Sequence, residues 1–186
     1  MMGAVLAEET GLHATAVVYG ESGVLILGPS GSGKSTLALA LMARASARGA
    51  YGALIGDDRI FVSAADGRLV ACGADNTAGL IERRTAGLIT VQHEPAAVMR
   101  LAVELGERGR PWPRMPDDHD SLTVGGVTLP RLALDSDLGV CDQALAVEER
   151  LAVLPTPSGA GRVLGISLEH CAAVHKNGRL EISPPA

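Results

Sequence analysis

The chain of 186 residues carries a formal net charge of −5, and 47% of its residues are hydrophobic although only 2% are aromatic. This length favours a single domain whose core is built from aliphatic side chains. The acidic balance, without any lysine or arginine run, argues against a nucleic-acid partner. Three cysteines without metal-binding spacing favour reduced thiols in the cytoplasm. No apolar run approaches the roughly 18 residues that span a bilayer, and no signal peptide or membrane partner is predicted.

The predicted elements alternate between strands and helices, which indicates an α/β fold. Strands are expected at 12–19, 24–27, 52–56, 59–63, 68–72, 87–91 and within 121–134, and helices at 35–48 and 141–154. Residues 97–105 fit either element, and a strand is preferred. Residues 106–121 form a charged, proline-broken loop, and loops of that length in compact domains are often functional or disordered. We therefore expect one domain over 1–154, followed by a linker-like tail over 155–186 with a hairpin pattern at Asn177-Gly178.

A glycine-rich segment between the 24–27 strand and the first helix fits the pattern GxxxxGK[ST]. It consists of Gly28, Pro29, Ser30, Gly31, Ser32, Gly33, Lys34 and Ser35. The glycines let backbone N–H groups surround phosphate oxygens, and the N-terminus of the helix adds positive potential. Lys34 would reach the β- and γ-phosphates, Ser35 would offer a hydroxyl to Mg²⁺, and Thr36 completes the predicted nucleotide-binding set. The alternative is a chance match in a glycine-rich chain, but the flanking strand and helix favour a P-loop.

The P-loop by itself does not specify a reaction. The chain has no NKxD-type guanine motif and no LSGGQ-like motif, so GTPases and ABC-type ATPases are disfavoured. Transfer of a phosphoryl group to an acceptor becomes the leading class. A kinase for a small molecule and a nucleotide-sensing module that turns over poorly remain open.

Two adjacent acids, Asp57 and Asp58, follow the apolar 52–56 strand. One carboxylate can orient Mg²⁺ or its water shell, and the second can accept a proton from an attacking hydroxyl. The competing interpretation is a solvated turn after a strand.

Three segments, VLILGPSGSGKSTLALALM, ALIGDDRIFV and LIERRTAGLITV, occur in this order and resemble the catalytic domain of the HPr kinase/phosphorylase family over about residues 10–135. The likeness is to the short alphaproteobacterial form without the N-terminal domain. The resemblance implies a P-loop nucleotide-binding domain with a mixed sheet, akin to phosphoenolpyruvate carboxykinase. It also implies an ATP- or pyrophosphate-dependent, Mg²⁺-requiring serine kinase acting on HPr, a phosphocarrier of the phosphotransferase system. Many members reverse the reaction with phosphate, releasing pyrophosphate, and the family commonly forms homo-hexamers.

The resemblance also implies roles for individual residues. Asp58 matches the family's acid/base, and Asp57 stands beside it as a metal ligand. Lys34 and Ser35 match the P-loop lysine and the metal-binding serine. His13, in the strand before the P-loop, matches the active-site histidine; taken alone, a histidine in an apolar strand is more often structural.

Glu82 begins the segment ERRTAGLITV, which resembles the family sequence ExRGxGIIxV. The resemblance implies that Glu82 is a second metal ligand and that Arg84 is the arginine of that family sequence. Thr85 and Thr90 stand where that sequence has a glycine and an acid. Without the resemblance, this segment would be interpreted as the charged entry of a strand.

Arg114 resembles the arginine of the family's mobile loop, which stabilises charge on the transferring phosphoryl group, and Arg110 is its rival. Further on, LPRLALDSDLG replaces the family's PVRPGRN-like segment linked to dephosphorylation. The resemblance therefore supports the kinase direction more strongly than the phosphorylase direction.

Overall fold

The computed structural model describes residues 10–110 and 121–155. Two α-helices, α1 (Lys34–Ala47) and α2 (Val140–Val153), and a short 3-10 helix at Asp75–Thr77 accompany the strands. The strands in these ranges are β1 (Thr10–Leu12), β2 (Thr15–Tyr19), β3 (Ser22–Leu27), β4 (Gly52–Gly56), β5 (Ile60–Ala65), β6 (Arg68–Gly73), β7 (Leu80–Arg83), β8 (Gly87–Thr90), β9 (Ala96–Leu105), β10 (Ser121–Val124) and β11 (Val127–Leu134). Within the described part of the chain, no helix is both long and apolar enough to span a bilayer.

Nine of these strands form one mixed sheet in the order β1-β5-β6-β9-β3-β2-β4, with β11 also beside β9 and β10 beside β11. The long strand β9 is parallel to β3 and β11 and antiparallel to β6. It changes partner along its length, since residues 96–99 pair with β6 and residues 102–105 pair with β11. This architecture confirms the predicted α/β fold with a mixed sheet.

The sheet is buried on both faces. Because side chains alternate along a strand, Val24 and Ile26 of β3 belong to the cluster beneath α1 and α2, whereas Leu25 belongs to the cluster on the opposite face. Residues of both clusters are aliphatic, and no aromatic side chain of residues 10–110 and 121–155 is fully buried. The prediction of an aliphatic core is therefore confirmed.

Two glycines allow the end of β4 to approach β6 closely, which curls the sheet. A Cβ at Gly73 would lie 2.1 Å from the carbonyl oxygen of Ile55, and one at Gly56 would lie 2.9 Å from the Cα of Gly73. Larger residues would force these backbones apart. The approach fixes the point from which Asp57 and Asp58 leave β4.

The predicted strands and helices are confirmed with small shifts at their ends, and residues 97–105 form a strand as preferred. Two details differ. The expected 12–19 strand is divided by a bend, so that His13 lies between β1 and β2 instead of within a strand. The 87–91 strand pairs with β7, which was not predicted as a strand because Glu82 and Arg83 make its sequence charged. The predicted hairpin in the tail lies outside the described residues.

Candidate active site

The glycine-rich loop connects β3 directly to α1. Gly28, Gly31 and Gly33 have φ angles of 142°, 79° and 107°, which side-chain-bearing residues rarely adopt. A Cβ at Gly28 would also lie 2.7 Å from the carbonyl oxygen of Leu105 and 2.9 Å from Ser32 Oγ. The loop conformation therefore depends on these glycines, as expected for a phosphate cradle at the N-terminus of a helix.

Ser32 provides an independent observation that this loop suits an anion. Its Oγ is buried and has no hydrogen-bond partner among the described residues. Buried hydroxyls are normally paired, because an unpaired one loses its bonds to water without replacement. A phosphate oxygen held by the loop would supply the missing acceptor, so the residues present fit a phosphate group.

Lys34, the first residue of α1, is buried beneath the loop. Its Nζ donates to the carbonyl oxygens of Gly28 at 3.0 Å and Pro29 at 3.1 Å, and it lies 3.1 Å from Nε2 of His13. Burial lowers the pKa of Lys34, and the carboxylates of Asp57 and Asp58 oppose that shift. The ammonium group is therefore close to the cradle and also linked to the histidine.

Asp57 is held by two hydroxyl groups. Thr15 Oγ1 donates to Asp57 Oδ1 at 2.6 Å, and Ser35 Oγ donates to the same oxygen at 2.9 Å. In P-loop proteins, Mg²⁺ beside bound phosphates is commonly held by a serine or threonine hydroxyl of the loop and by a carboxylate. The Ser35–Asp57 pair therefore fits a Mg²⁺ site next to the cradle.

Asp58 contacts a different neighbour. Its φ of 69° lies in the left-handed region, which aspartate tolerates better than most residues. Its Oδ1 lies 2.8 Å from His13 Nδ1, and its side chain is 81% exposed. The two adjacent carboxylates thus have different partners: Asp57 contacts Ser35, and Asp58 contacts His13.

The β7–β8 hairpin forms another wall of the site. Arg84 Nη2 at its tip donates to the carbonyl oxygen of Gly31 at 3.3 Å. Glu82 lines the same cavity of about 830 Å³ as the P-loop, His13 and both aspartates. The structure therefore brings all the described predicted residues to one cavity, apart from Gly28, Pro29 and Ser32, which complete the loop beside it.

Of the two arginines predicted in the charged loop, only Arg110 falls within the described residues, and it is not among those that line the cavity. Arg114 lies outside the described residues. Its rival Arg110 is exposed and pairs with Glu107 at 3.0 Å. Arg108, which sequence reasoning passed over, has Nη2 3.8 Å from the position that a Cβ of Gly33 would take. The charged loop that contains Arg108 could have marked it as a candidate site residue. Thr15 could not have been found in this way, because a single threonine in an apolar strand is common.

A buried carboxylate supports α1 at its far end. Glu148 of α2 accepts hydrogen bonds from Arg44 at 2.9 and 2.6 Å and from Tyr19 at 2.7 Å, and it pairs with Arg48 at 2.9 Å. The hydrogen bonds from Arg44, together with the one from Tyr19, hold the pKa of Glu148 below its ordinary value against the effect of burial. This cluster ties α2 to the helix that carries the P-loop.

A strand, a glycine-rich loop and a helix follow one another here, and a second strand beside them ends in carboxylates. This arrangement defines a P-loop nucleotide-binding protein. A family profile described as the HPr serine kinase C-terminal domain matches residues 4–135. The chain belongs to this family. Helix α2 and its Glu148 lie beyond the matched residues.

Individual relatives agree with the family assignment. The chain is 28% identical to the HPr kinase/phosphorylase of Clostridium beijerinckii, over 80% of this chain and 52% of that protein. It is 33% identical to the HPr kinase/phosphorylase of Streptococcus uberis, over 73% of this chain and 45% of that protein. It thus spans about half the length of the curated relatives it matches.

The fold agrees with a solved structure as well. The HPr(Ser) kinase/phosphatase from Coxiella burnetii superimposes with a TM-score of 0.62 at 23% identity, covering 77% of this chain and 97% of that one.

Proposed function

We propose that this protein is an ATP-dependent serine kinase that phosphorylates an HPr-like phosphocarrier of the phosphotransferase system. The observation that carries the proposal is the chain of contacts that links Lys34 to His13 and His13 to Asp58 beside the P-loop. A phosphate-binding cation and a candidate proton acceptor thereby lie on either side of one histidine. Family membership supports the same assignment.

The P-loop and Lys34 would hold the phosphates of ATP. Ser35 and Asp57, with Glu82 across the cavity, would hold Mg²⁺, which when bound neutralises charge on the phosphate oxygens. Residues 10–110 and 121–155 contain no cluster of three or more His, Cys, Asp or Glu side chains able to hold a metal alone. This fits the usual behaviour of Mg²⁺, which binds through one or two carboxylates together with substrate phosphates.

Asp58 would accept the proton of the serine hydroxyl as the oxygen attacks the γ-phosphate. His13 orients the acceptor, because its Nδ1 contacts Asp58 Oδ1 while Nε2 faces Lys34 Nζ. Both side chains are exposed, at 51% for His13 and 81% for Asp58. That openness suits a hydroxyl presented on the surface of another protein, and it favours a protein acceptor over an enclosed metabolite.

Further parts of the proposal rest on the family resemblance. Arg114 would stabilise charge on the transferring phosphoryl group, and the reverse phosphorolytic reaction would use Asp58 as the acid. Residues 1–154 would form the catalytic domain, acting in the cytoplasm as a homo-oligomer, a hexamer by analogy with the family.

The test is transfer of label from γ-labelled ATP to candidate HPr-like carriers, each compared with a carrier whose acceptor serine is replaced by alanine. We expect serine-dependent labelling by the wild type and none by Lys34→Ala, because Lys34 contacts the phosphate loop. The matched control is Lys176→Ala, which removes the only other lysine of the chain. Labelling of a metabolite would favour a small-molecule kinase, and ATP binding without transfer would favour a sensor.

A further inference from the structure

The cavity that contains the P-loop has a second, chemically different part. Its wall there is apolar and comes from two elements, α1 and the β7–β8 hairpin; the side chains are Leu39, Ala40, Ala43, Leu80, Leu88 and Ile89. At about 830 Å³, the whole cavity is larger than phosphates alone require, and it lies within the range of cavities that hold nucleotide-sized ligands.

On α1, the apolar wall continues directly from the phosphate cradle. Thr36, Ala40 and Ala43 follow one another at helical spacing, so they share one face of the helix. Ala43 lies seven residues beyond Thr36, which is about 10 Å along the helix axis at a rise of about 1.5 Å per residue. Small alanine side chains leave a shallow channel along this face instead of filling it.

The hairpin holds the opposite wall in place. Ile81 of β7 is fully buried in the core cluster beneath α1, and Ile89 packs against the same cluster. Leu88 lies directly across from Glu82 in the register, so the two side chains share a face. Leu88 is nevertheless 70% exposed, although it is a large apolar residue held on an anchored strand.

We propose that this apolar wall, formed by α1 and the β7–β8 hairpin, is the subsite for the base and ribose of the nucleotide. The inference rests on the proposed function, since it needs a nucleotide with its phosphates in the loop. A ligand anchored at Gly28–Ser35 has to extend into the remainder of the same cavity, and the apolar wall begins where the cradle ends. A planar base gains by burying its faces there, and it would cover the otherwise exposed Leu88.

The acceptor protein is a weaker candidate for this wall. Its hydroxyl has to reach Asp58, which contacts His13 and through it Lys34. The hairpin instead contacts the loop at Gly31, through Arg84. The two sets of contacts place acceptor and base at different parts of the loop.

The composition of the wall also limits base recognition. None of the six side chains of the apolar wall carries a group that could hydrogen-bond to a base edge. Strong discrimination between bases requires side chains that hydrogen-bond to the base edges. We therefore expect ATP and GTP to bind with affinities within about tenfold of each other.

The test measures binding by titration calorimetry of the full chain with Mg²⁺, using ATP, GTP and inorganic tripolyphosphate. Wild type should bind ATP more tightly than tripolyphosphate. Leu88→Ser should weaken ATP about three- to tenfold, from the lost apolar contact, and leave tripolyphosphate within about twofold. Leu88→Trp should tighten ATP because it adds a stacking surface. Val153→Ser, at a residue 71% exposed on α2 and outside the cavity lining, is the matched control and should change neither ligand.

Equal affinities for ATP and tripolyphosphate in the wild type, unaltered by Leu88→Ser, would overturn the subsite and leave the proposed kinase intact. Unchanged ATP binding with a raised KM for the phosphocarrier in Leu88→Ser would assign the wall to the acceptor instead. Absence of binding by all three ligands to the wild type would remove both the subsite and the proposed function.

Discussion

Thr15 and Asp57 are joined by a hydrogen bond of 2.6 Å, although 42 residues separate them in the chain. The bond follows from strand pairing, because β2 and β4 are antiparallel neighbours and Ala16 pairs with Gly56. Thr15 is fully buried, so its hydroxyl fixes the carboxylate from the protein side. The orientation of Asp57 toward Ser35 is therefore determined by the sheet as well as by the P-loop.

Replacing Thr15 with valine should weaken the Mg²⁺ site while preserving the fold. Valine keeps the branched shape, and the lost hydrogen bond is worth about 1 kcal/mol, which corresponds to a roughly fivefold higher Mg²⁺ requirement. Steady-state transfer measured across a Mg²⁺ titration should recover most of its rate at high metal. Thr15→Ser, which retains the hydroxyl, is the control and should need Mg²⁺ at nearly the wild-type concentration. An identical Mg²⁺ requirement in the valine variant would contradict the positioning role.

The two acids should fail differently when each is replaced by asparagine. Asp58→Asn cannot accept the serine proton, so transfer should fall on the order of 10²–10⁴-fold at every Mg²⁺ concentration. ATP binding should persist, because the phosphates contact the P-loop and Lys34.

Asp57→Asn should instead raise the Mg²⁺ requirement, because Asp57 Oδ1 accepts the hydrogen bond from Ser35 Oγ at the proposed metal site. Part of the lost rate should return at high Mg²⁺ concentration. Rescue of Asp58→Asn by Mg²⁺, without rescue of Asp57→Asn, would show that the two roles are reversed. Normal activity in both variants would reduce the pair to a polar turn.

Local patterns in the sequence predicted the elements that depend on neighbouring residues. The glycine loop, α1 and the Asp66–Gly67 turn, whose φ angles are 49° and 71°, are all encoded within a few positions. The site residues that follow strands could also be proposed, because the family motifs mark them. Their mutual contacts could not, since His13 and Asp58 are 45 residues apart.

Elements that depend on distant partners were harder to predict. β7 contains Glu82 and Arg83, which are exposed, and only its pairing with β8 makes it a strand. The change of partner along β9 could not be predicted, because buried positions occur in both halves of the strand. The sequence of α2 alone would predict that Glu148 is exposed to solvent, because its partners Arg44 and Arg48 are distant in the chain.

Glu148→Gln should destabilise the protein by about 1.5 kcal/mol at neutral pH, because the buried side chain loses its charge-assisted hydrogen bonds from Arg44, which is itself partly exposed. The pKa of Glu148 lies below its ordinary value of 4.5, so its contribution is complete above about that pH and disappears as the pH falls through the folded-state pKa. Thermal unfolding of both proteins from pH 7 to pH 3 should therefore show a difference that shrinks in acid. Glu149→Gln, at the exposed neighbouring position, should unfold like the wild type at all pH values. A difference that stays constant with pH would contradict the charge-based explanation.

Truncation after Leu154 should preserve phosphoryl transfer, since the proposed site is contained in the preceding residues. The cut removes one described contact, in which Arg100 Nη2 donates to the carbonyl oxygen of Pro155 at 2.7 Å. Truncation after Pro155 retains that oxygen and separates this contact from any effect of the tail. A folded but inactive product from both truncations would show that residues 156–186 contribute to the site or to assembly.

Strand β9 belongs to two pairings at once, with β6 along residues 96–99 and with β11 along residues 102–105, while β3 runs beside both parts. Releasing β9 requires its pairings with β3, β6 and β11 all to break, so its unfolding is coupled to that of both halves of the sheet. The backbone amides of Leu101, Ala102 and Val103, whose residues are fully buried at this junction, should exchange with deuterium only through global unfolding. Amide exchange measured at these three positions should then report the full free energy of unfolding of the domain, and faster exchange there than in β3 would contradict the coupling.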